Sequence, residues 1–329
     1  MSILVRDPGL ETTVQDTGRF GHYAIGFPPS GALDSFAYHV GNALVGNEPG
    51  AAALEAVYLG PTLEFTADTT IAVTGADIPV TLDGSEVPTW ESVAVRSGQT
   101  LAFGQLAAGA RPYVAVAGGI DVPLYYGSRS TYTLVGIGGF HGRALAEDDE
   151  LALGTPAGAV SAGRRIDDAD VPVHPTEAEL RLLVGLHSYR LTPDSLERFT
   201  DTAWKVTPDA NRVGYRYRGA ELEFVPREQP FGAGSDPANV TDCGYPVGSV
   251  QVPGGVEPIV LLQDAVTGGG YATLGTVVSV DRDRLAQTKT GDRTRFVPVD
   301  LDEALAIRRD RAAQLDRIRS SLAPGGSRG

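Results

Sequence analysis

Short apolar runs recur along the chain, most of them about four to six residues long and bounded by glycine, proline or aspartate. Many of their residues are β-branched, which favours extended backbone over helix. No amphipathic helical stretch separates each run from the next, as a βαβ arrangement would require. The pattern therefore predicts a mainly β protein with antiparallel strands. The clearest runs are Ile3–Val5, Ala53–Tyr58, Thr70–Thr74, Val93–Val95, Thr100–Phe103 and Tyr113–Ala117.

One helix is predicted after Asp34, which is a favourable N-cap residue. Phe36, Val40 and Leu44 recur at intervals of four residues and would share one buried face. Gly46 follows at the position where a left-handed residue commonly ends a helix. Start, face and end signals agree, so this stretch indicates a short amphipathic helix.

Two further helices are expected toward the C-terminus. The first follows Thr192, with Pro193 at its opening position. The second runs from Leu301 to about Leu322, and the tail from Pro324 onward is expected to be disordered. From Leu301 the chain carries six arginines and four acidic residues. This segment therefore has a net positive charge, whereas the rest of the chain has a net negative charge. This basic helix either docks on a partner or packs on its own domain.

A chain of 329 residues is long enough for about two domains. Between Gly154 and Thr176 the sequence is rich in small, turn-forming and polar residues and has no clear hydrophobic period. We expect one β domain on each side of this stretch, over residues 1–160 and 175–329.

The charge balance is strongly acidic, since 27 basic residues face 41 acidic ones and the net charge is −14. Only Lys205 and Lys289 are lysines. Such a surface repels nucleic acid and anionic membranes, so neither is expected as a partner. It is typical of halophilic proteins, although an acidic protein from a low-salt milieu has the same signature. Without a long apolar run or a leader sequence, the expected location is cytoplasmic.

Several kinds of site are excluded by residue types that are missing or widely spaced. A single cysteine, Cys243, allows no internal disulfide and no cysteine-based metal cluster. The five histidines are not at metal-ligand spacing, so no metal site is expected. Neither lysine ends a glycine-rich phosphate loop, and neither is flanked by the methionines of a biotin-carrier motif. Neither a Walker-type ATP site nor a carried biotin is therefore expected in this chain.

Two glycine-rich stretches in the N-terminal half also hold polar residues. Gln15–Asp34 leads to a helix N-terminus, where backbone N–H groups favour an anion, and its Arg19 could pair with a carboxylate or phosphate. An ordinary loop that ends in a cap is the alternative. Ala117–Phe140 superficially resembles a dinucleotide loop. His141 stands where that motif needs glycine and no helical pattern follows, which favours a turn-rich connection.

Two stretches in the C-terminal half combine polar side chains with glycine. Asn211–Tyr215 offers amide, guanidinium and phenol groups that suit a small carbonyl or carboxylate ligand, although such residues are also common where a strand begins. In Ile259–Tyr271 an apolar strand leads to Asp264 in a loop rich in threonine and glycine. A carboxylate at a strand end could act as a base or a substrate clamp, or it could cap the following turn.

The order of these motifs resembles the KipA-type family, which includes the C subunits of 5-oxoprolinases and is also called allophanate hydrolase subunit 2 or the biotin-dependent carboxyltransferase family. The resemblance extends from about Leu4 to Leu305. It rests chiefly on the blocks Gln15-Asp-x-Gly-Arg-x-Gly, Pro-x-Ser30-Gly-Ala-x-Asp34, Ala115-Val-Ala-Gly-Gly-Ile-Asp-Val-Pro, Gly127-Ser-Arg-Ser-Thr, Gly136-Ile-Gly-Gly-Phe, Asn211-Arg-x-Gly-Tyr, Gln251-Val-Pro and Gly269-Gly-Tyr.

The resemblance implies two cyclophilin-like β-barrel domains with few short helices and a C-terminal helix. It also implies a KipI-like protein as partner and often a LamB/YcsF-like protein, which together with this chain would open 5-oxoproline to glutamate with ATP. The chain would be inactive alone, and which protein of the complex binds ATP stays open. Two alternatives are carboxyl transfer to urea from biotin on a separate chain, and a non-catalytic regulatory role with a KipI-like protein.

Residue type and motif position give candidate roles toward a small amide substrate such as 5-oxoproline or urea. Asp264 is the predicted catalytic residue, and Arg19 or Arg212 would hold the carboxylate of 5-oxoproline. The predicted substrate-binding residues are Arg19, Ser30, Asn211, Arg212, Tyr215, Gln251, Thr267 and Tyr271. Ala265 and Val266 replace the arginine and glutamine that the family usually has after this aspartate, so substrate specificity or activity could differ.

Overall fold

The computed structural model describes residues 1–158 and 161–323, which form two compact units. The sequence predicts two continuous domains, whereas each unit includes a segment from the other half of the chain. The tail from Pro324, for which the sequence predicts disorder, lies outside the described residues. The first unit comprises Met1–Arg19, Ser30–His174 and the chain from Ala312 onward, and the second comprises Phe20–Pro29 and Pro175–Arg311.

The first unit consists mainly of two antiparallel sheets. Its strands are β1 (Ser2–Asp7), β2 (Thr12–Gln15), β3 (Ala53–Ala56), β4 (Thr62–Phe65), β5 (Thr69–Asp77), β6 (Val80–Leu82), β7 (Ser85–Val87), β8 (Ser92–Val95), β9 (Thr100–Phe103), β10 (Ala108–Val116) and β11 (Glu150–Ala152). One sheet has the order β11-β1-β4-β9-β6-β7 and the other the order β2-β3-β10-β5-β8. Apolar side chains of both sheets share one core, which includes Ile3, Leu63, Val73 and Val114.

The second unit contains a closed barrel of seven strands and a separate two-stranded pair. Its strands are β12 (Glu177–Val184), β13 (Trp204–Ala210), β14 (Gly214–Arg218), β15 (Asn239–Gly244), β16 (Ser249–Gln251), β17 (Ile259–Leu261), β18 (Gly268–Tyr271), β19 (Thr273–Val277) and β20 (Arg293–Val299). The barrel order is β12-β19-β16-β17-β14-β13-β20, with β12 and β20 parallel, while β15 pairs with β18. Trp204, Tyr217 and Phe296 are buried in its aromatic core.

Four α-helices occur within the described residues: α1 (Ser35–Leu44), α2 (Pro193–Asp201), α3 (Asp281–Ala286) and α4 (Leu301–Ser321). The predicted cap of α1 is present, because an Asp34 carboxylate oxygen accepts a hydrogen bond from the Ala37 N–H at 2.9 Å. The sequence does not predict α3, which is only six residues long and lacks a side-chain cap. None of these helices is long and apolar enough to cross a membrane.

The C-terminal part of α4 packs on the first unit, which is one of the two roles that its sequence left open. Ile318 and Leu322 join Phe36 in an apolar core. The Arg317 guanidinium donates two hydrogen bonds, both of 2.8 Å, to the Asp170 carboxylate. Part of the positive charge of this helix therefore pairs with an acidic residue of the same unit.

All six apolar runs overlap strands, which follows from their β-branched content and the turn residues that bound them. The predicted fold, mainly β with few short helices and a C-terminal helix, is confirmed. Hydrogen bonding closes a barrel in the second unit, whereas the first unit's strands pair as two sheets.

His39 on α1 predicts an acid-sensitive contribution to stability. Burial, assisted by the positive charge of Arg319, lowers the pKa of its imidazole to about 4 from 6.5. The unfolded chain takes up this proton first, so the native state loses up to about 3 kcal/mol as the pH falls from about 6.5 to about 4. In urea titrations across this range, His39→Gln should lose less stability than the wild type. The exposed His141→Gln control should follow the wild type, and equal slopes for all three would contradict the prediction.

Candidate functional site

Arg212 and Asp264, two of the predicted site residues, form a buried ion pair. Nε of Arg212 donates to Asp264 Oδ2 at 2.7 Å, and Nη2 donates to Oδ1 at 3.3 Å. Their side chains are 7% and 2% exposed. The Asp264 backbone N–H also donates to the Arg212 carbonyl at 3.0 Å. The pair therefore fixes the turn before β14 to the loop after β17 and keeps the predicted catalytic carboxylate against a cation inside the protein.

Asn211 and Tyr215 belong to the same turn and mainly contact backbone. The Asn211 side-chain oxygen accepts hydrogen bonds from two N–H groups of the turn, at 2.9 and 3.3 Å, which is an Asx-type arrangement. Tyr215 is buried, and its hydroxyl donates weakly to the carbonyls of Ala286 and Thr288 at 3.5 and 3.4 Å. These contacts shape the barrel and leave both side chains outside the pocket described below.

The Tyr245 hydroxyl fixes the strand that ends in Tyr271. It accepts a hydrogen bond from the Tyr271 N–H at 2.6 Å and donates to the Tyr271 carbonyl at 3.0 Å. Burial raises the pKa of Tyr245, while the Tyr271 backbone and the buried Gln251 side chain act in the opposite direction. The Tyr245 N–H also donates to the Thr267 carbonyl at 2.9 Å. Tyr271 and Gln251 thus act on the phenol of Tyr245, and Thr267 accepts from its backbone N–H, although the sequence does not single out Tyr245.

A pocket of about 740 Å³ opens beside this loop in the second unit. Gln263 and Thr267 line one side of it. Tyr23 also lines it, and comes from the glycine-rich loop that the sequence marks as a candidate anion site. Arg282 of α3 and Arg308 of α4 add two guanidinium groups to the lining. The pocket therefore joins residues from two stretches that the sequence treats separately.

Among the described residues no acidic side chain lines this pocket, although the whole chain has 41 acidic residues. Burial lowers the pKa of Arg282; the nearby Asp283 and Tyr23 oppose this shift, and the positive charge of Arg308 adds to it. Burial raises the pKa of Tyr23, and the positive charge of Arg282 opposes that change. The pocket is a cationic recess in an acidic protein, which suits a small ligand with anionic or polar groups.

Two motifs of the family resemblance meet at Asp16 in the first unit. Its Oδ1 accepts hydrogen bonds from the hydroxyls of Ser128 at 2.6 Å and Ser130 at 2.5 Å. The N–H groups of Gly18 and Arg129 also donate to this carboxylate, at 2.8 and 2.5 Å. Asp16 is 4% exposed. The buried carboxylate therefore ties the start of the Gln15–Asp34 loop to the Ser128–Ser130 turn.

Arg19 and Ser30, both predicted to bind substrate, are buried in the first unit, whereas the pocket is lined by residues of the second. Nη2 of Arg19 donates to the Ser130 carbonyl. A Cβ at Gly138 would lie 2.1 Å from that same carbonyl oxygen, so only glycine lets the Gly136–Phe140 stretch approach the buried arginine. Arg19 is therefore part of a packed loop cluster.

The two positions that depart from the family pattern do not line the pocket. Ala265 is buried in an apolar cluster with Tyr245 and Leu261. Val266 points outward and is 60% exposed. The departure therefore affects the support and the outer face of the loop, while Thr267 keeps its place in the pocket lining.

Most residues that line the pocket are not among the predicted ones. The sequence gives a reason to consider Tyr23, because it lies in the glycine-rich Gln15–Asp34 loop. The excess of basic residues after Leu301 points to this helix, but nothing in the sequence distinguishes Arg308 from the other arginines there. The unpredicted residues of the lining that carry a polar side chain are Tyr23, Tyr245, Gln263, Thr276, Ser279, Arg282 and Arg308.

The chain belongs to the family described as carboxyltransferase domain, subdomain A and B, whose model matches residues 25–298. Its relatives include the C subunit of Escherichia coli 5-oxoprolinase, 36% identical over 94% of this chain and 95% of that protein. These matches confirm the resemblance to the KipA-type family.

Fused urea enzymes are also similar to this chain. Urea amidolyase of Saccharomyces cerevisiae is 35% identical over 92% of this chain, which spans only 17% of that protein. The crystal structure of Kluyveromyces lactis urea carboxylase matches 99% of this chain with a TM-score of 0.92 at 30% identity, and the match covers 30% of that chain. The same fold therefore occurs both as a separate protein and within larger proteins.

Proposed function

We propose that this chain is the C subunit of an ATP-dependent 5-oxoprolinase, which opens 5-oxoproline to glutamate, and that it is inactive alone. The observation that carries the proposal is the extent of the match. The chain corresponds to 95% of the Escherichia coli protein, but to only 17% of the yeast urea amidolyase. The similarity therefore covers nearly all of a 5-oxoprolinase C subunit, whereas it covers only one segment of the urea enzyme.

The pocket of the second unit suits a small cyclic amide. Gln263 carries an amide that can donate to a ring carbonyl and accept from a ring N–H at the same time. Thr267 adds a hydroxyl, and Leu301 and Leu305 give an apolar wall for the ring methylenes. This combination of an amide, hydroxyl groups and an apolar wall supports recognition of 5-oxoproline.

Asp264 acts in this proposal as a positioning residue. Its ion pair with Arg212 leaves it 2% exposed, and it does not line the pocket. It adjoins Gln263 in the chain and stands three residues before Thr267. By fixing the loop to the barrel, the pair would hold both pocket residues in place, as supporting contacts do for binding groups.

ATP would be required by the assembled complex, and which of its proteins binds ATP stays open. Lys205 lies within β13, and Nζ of Lys289 lies 3.8 Å from Asp292 Oδ1. Neither lysine stands in a glycine-rich turn that opens a helix, which is the arrangement that cradles nucleotide phosphates. The proposed partners are a KipI-like protein and a LamB/YcsF-like protein.

A Gln263→Ala variant tests the pocket within this function. In the complex with the KipI-like and LamB/YcsF-like partners, it should raise the KM for 5-oxoproline about tenfold and change kcat little, because a side-chain amide contributes to binding before and during the reaction. Gln105→Ala, at an exposed position of the first unit, is the matched control and should change neither constant. An unchanged KM in Gln263→Ala would remove the pocket from substrate binding.

A second candidate is a carboxyltransferase component of a biotin-dependent urea or allophanate-type system. The TM-score of 0.92 with the Kluyveromyces lactis urea carboxylase favours it. Biotin would then be carried on a separate chain, which should co-purify and support carboxyl transfer to urea without turnover of 5-oxoproline. A regulatory partner would instead bind a KipI-like protein and support neither reaction.

A further inference from the structure

The pocket of the second unit holds two arginines, Arg282 and Arg308, that form no ion pair with a carboxylate in the described part of the chain, although the charge of Asp283 acts on Arg282. Arg282 donates to the backbone carbonyls of Ser279 at 3.3 Å and Val247 at 3.4 Å, both long contacts. Arg308 is exposed and lines the same pocket. By contrast, Arg311, three residues further along α4, lies 3.2 Å from Asp283.

Two positive charges in a recess whose described lining has no acidic side chain repel each other. Both guanidinium groups line the same pocket. The positive charge of Arg308 adds to the lowering of the pKa of Arg282 by burial, while Asp283 and Tyr23 oppose it. A bound anion relieves this repulsion and accepts charge-assisted hydrogen bonds from planar donors. The local potential thus opposes the net charge of −14 and favours an anion at this point.

We propose that Arg282 and Arg308 together clamp the carboxylate of a small-molecule ligand. The identity of that ligand rests on the proposed function, under which it is 5-oxoproline, with its ring amide toward Gln263 and Thr267. The sequence assigns this carboxylate to Arg19 or Arg212. Arg212 is already paired with Asp264, and Arg19 is buried with the Ser130 carbonyl, so the two pocket arginines take the role.

Isothermal titration calorimetry of the full chain tests the clamp with three probes: 5-oxoproline, 2-pyrrolidinone, which has the same ring without the carboxylate, and inorganic phosphate. The wild type should bind 5-oxoproline at least about tenfold more tightly than 2-pyrrolidinone. The double variant Arg282→Ala/Arg308→Ala should bind 5-oxoproline at least about tenfold more weakly, with the affinity for 2-pyrrolidinone unchanged. Arg309→Ala, the next residue on α4 and outside the pocket, is the matched control.

Lysine at both positions should restore part of the affinity, because it supplies the charge without the planar fork. Equal affinity of the wild type and the double alanine variant for 5-oxoproline would overturn the clamp. So would the absence of 5-oxoproline binding by the wild type, or tighter binding of inorganic phosphate. A thermal melt of each variant separates loss of binding from loss of fold.

The clamp and the proposed function can fail separately. Carboxylate-dependent binding by the chain, with no glutamate formed by the assembled complex, supports the clamp and contradicts the 5-oxoprolinase role. Turnover by the complex with an unchanged KM in the double alanine variant supports the role and overturns the clamp.

Discussion

Replacing Arg212 with alanine is expected to lower the free energy of unfolding by about 3–5 kcal/mol, because Asp264 would be left as a buried carboxylate without its cation. The two side chains are 7% and 2% exposed and share two hydrogen bonds. Urea titration monitored by fluorescence should show this loss as a lower midpoint with a similar slope.

An exposed ion pair of the same barrel is the control. Arg216 Nη1 lies 3.8 Å from Glu257 Oε2, and both side chains are about a third to a half exposed. Arg216→Ala should therefore cost at most about 1 kcal/mol. If Arg212→Ala cost no more than this control, the Arg212–Asp264 pair could not be what holds the pocket loop.

Replacing Asp16 with alanine is expected to cost at least about 3 kcal/mol. Its carboxylate accepts hydrogen bonds from two hydroxyls and two backbone N–H groups, and all four donors would lose a charged acceptor inside the protein. Thermal and urea unfolding of the variant measure the loss. Binding of 5-oxoproline in the second unit should change much less than stability.

Asp121 provides a matched substitution for Asp16. It is 58% exposed and lies 3.6 Å from the Arg129 guanidinium, while Asp16 accepts from the backbone N–H of the same arginine. Asp121→Ala should cost at most about 1 kcal/mol. Similar losses for the two variants would show that the Asp16 network contributes little.

The sequence predicts the elements better than their arrangement. The short β-branched runs and the signals around Asp34 and Pro193 are local, so strands and helices follow from them. The transfer of Phe20–Pro29 to the second unit and of the chain from Ala312 to the first depends on contacts between distant residues. No local pattern records such contacts.

For the candidate site too, the sequence identifies local motifs but not the contacts that their side chains make. Motif order identifies the loop with Thr267 and Asp264, but it does not distinguish a residue that lines a pocket from one that supports it. Tyr215 and Arg19 carry groups suited to substrate, yet both are buried against backbone carbonyls. Burial and partner identity decide these cases, and residue type alone does not determine them.

The net charge of the chain does not predict the local charge of the pocket. The value of −14 describes the chain as a whole, whereas the described lining of the pocket contains arginines and no acidic residue. A small anionic ligand is compatible with an acidic protein when the local potential has the opposite sign.

The most direct test of the 5-oxoprolinase role is glutamate formation from 5-oxoproline by the KipI-like and LamB/YcsF-like proteins with ATP, measured with and without this chain. We expect glutamate only when all three proteins and ATP are present. Equal glutamate formation without this chain, or none from a complete and stable complex, would contradict its assignment to the 5-oxoprolinase.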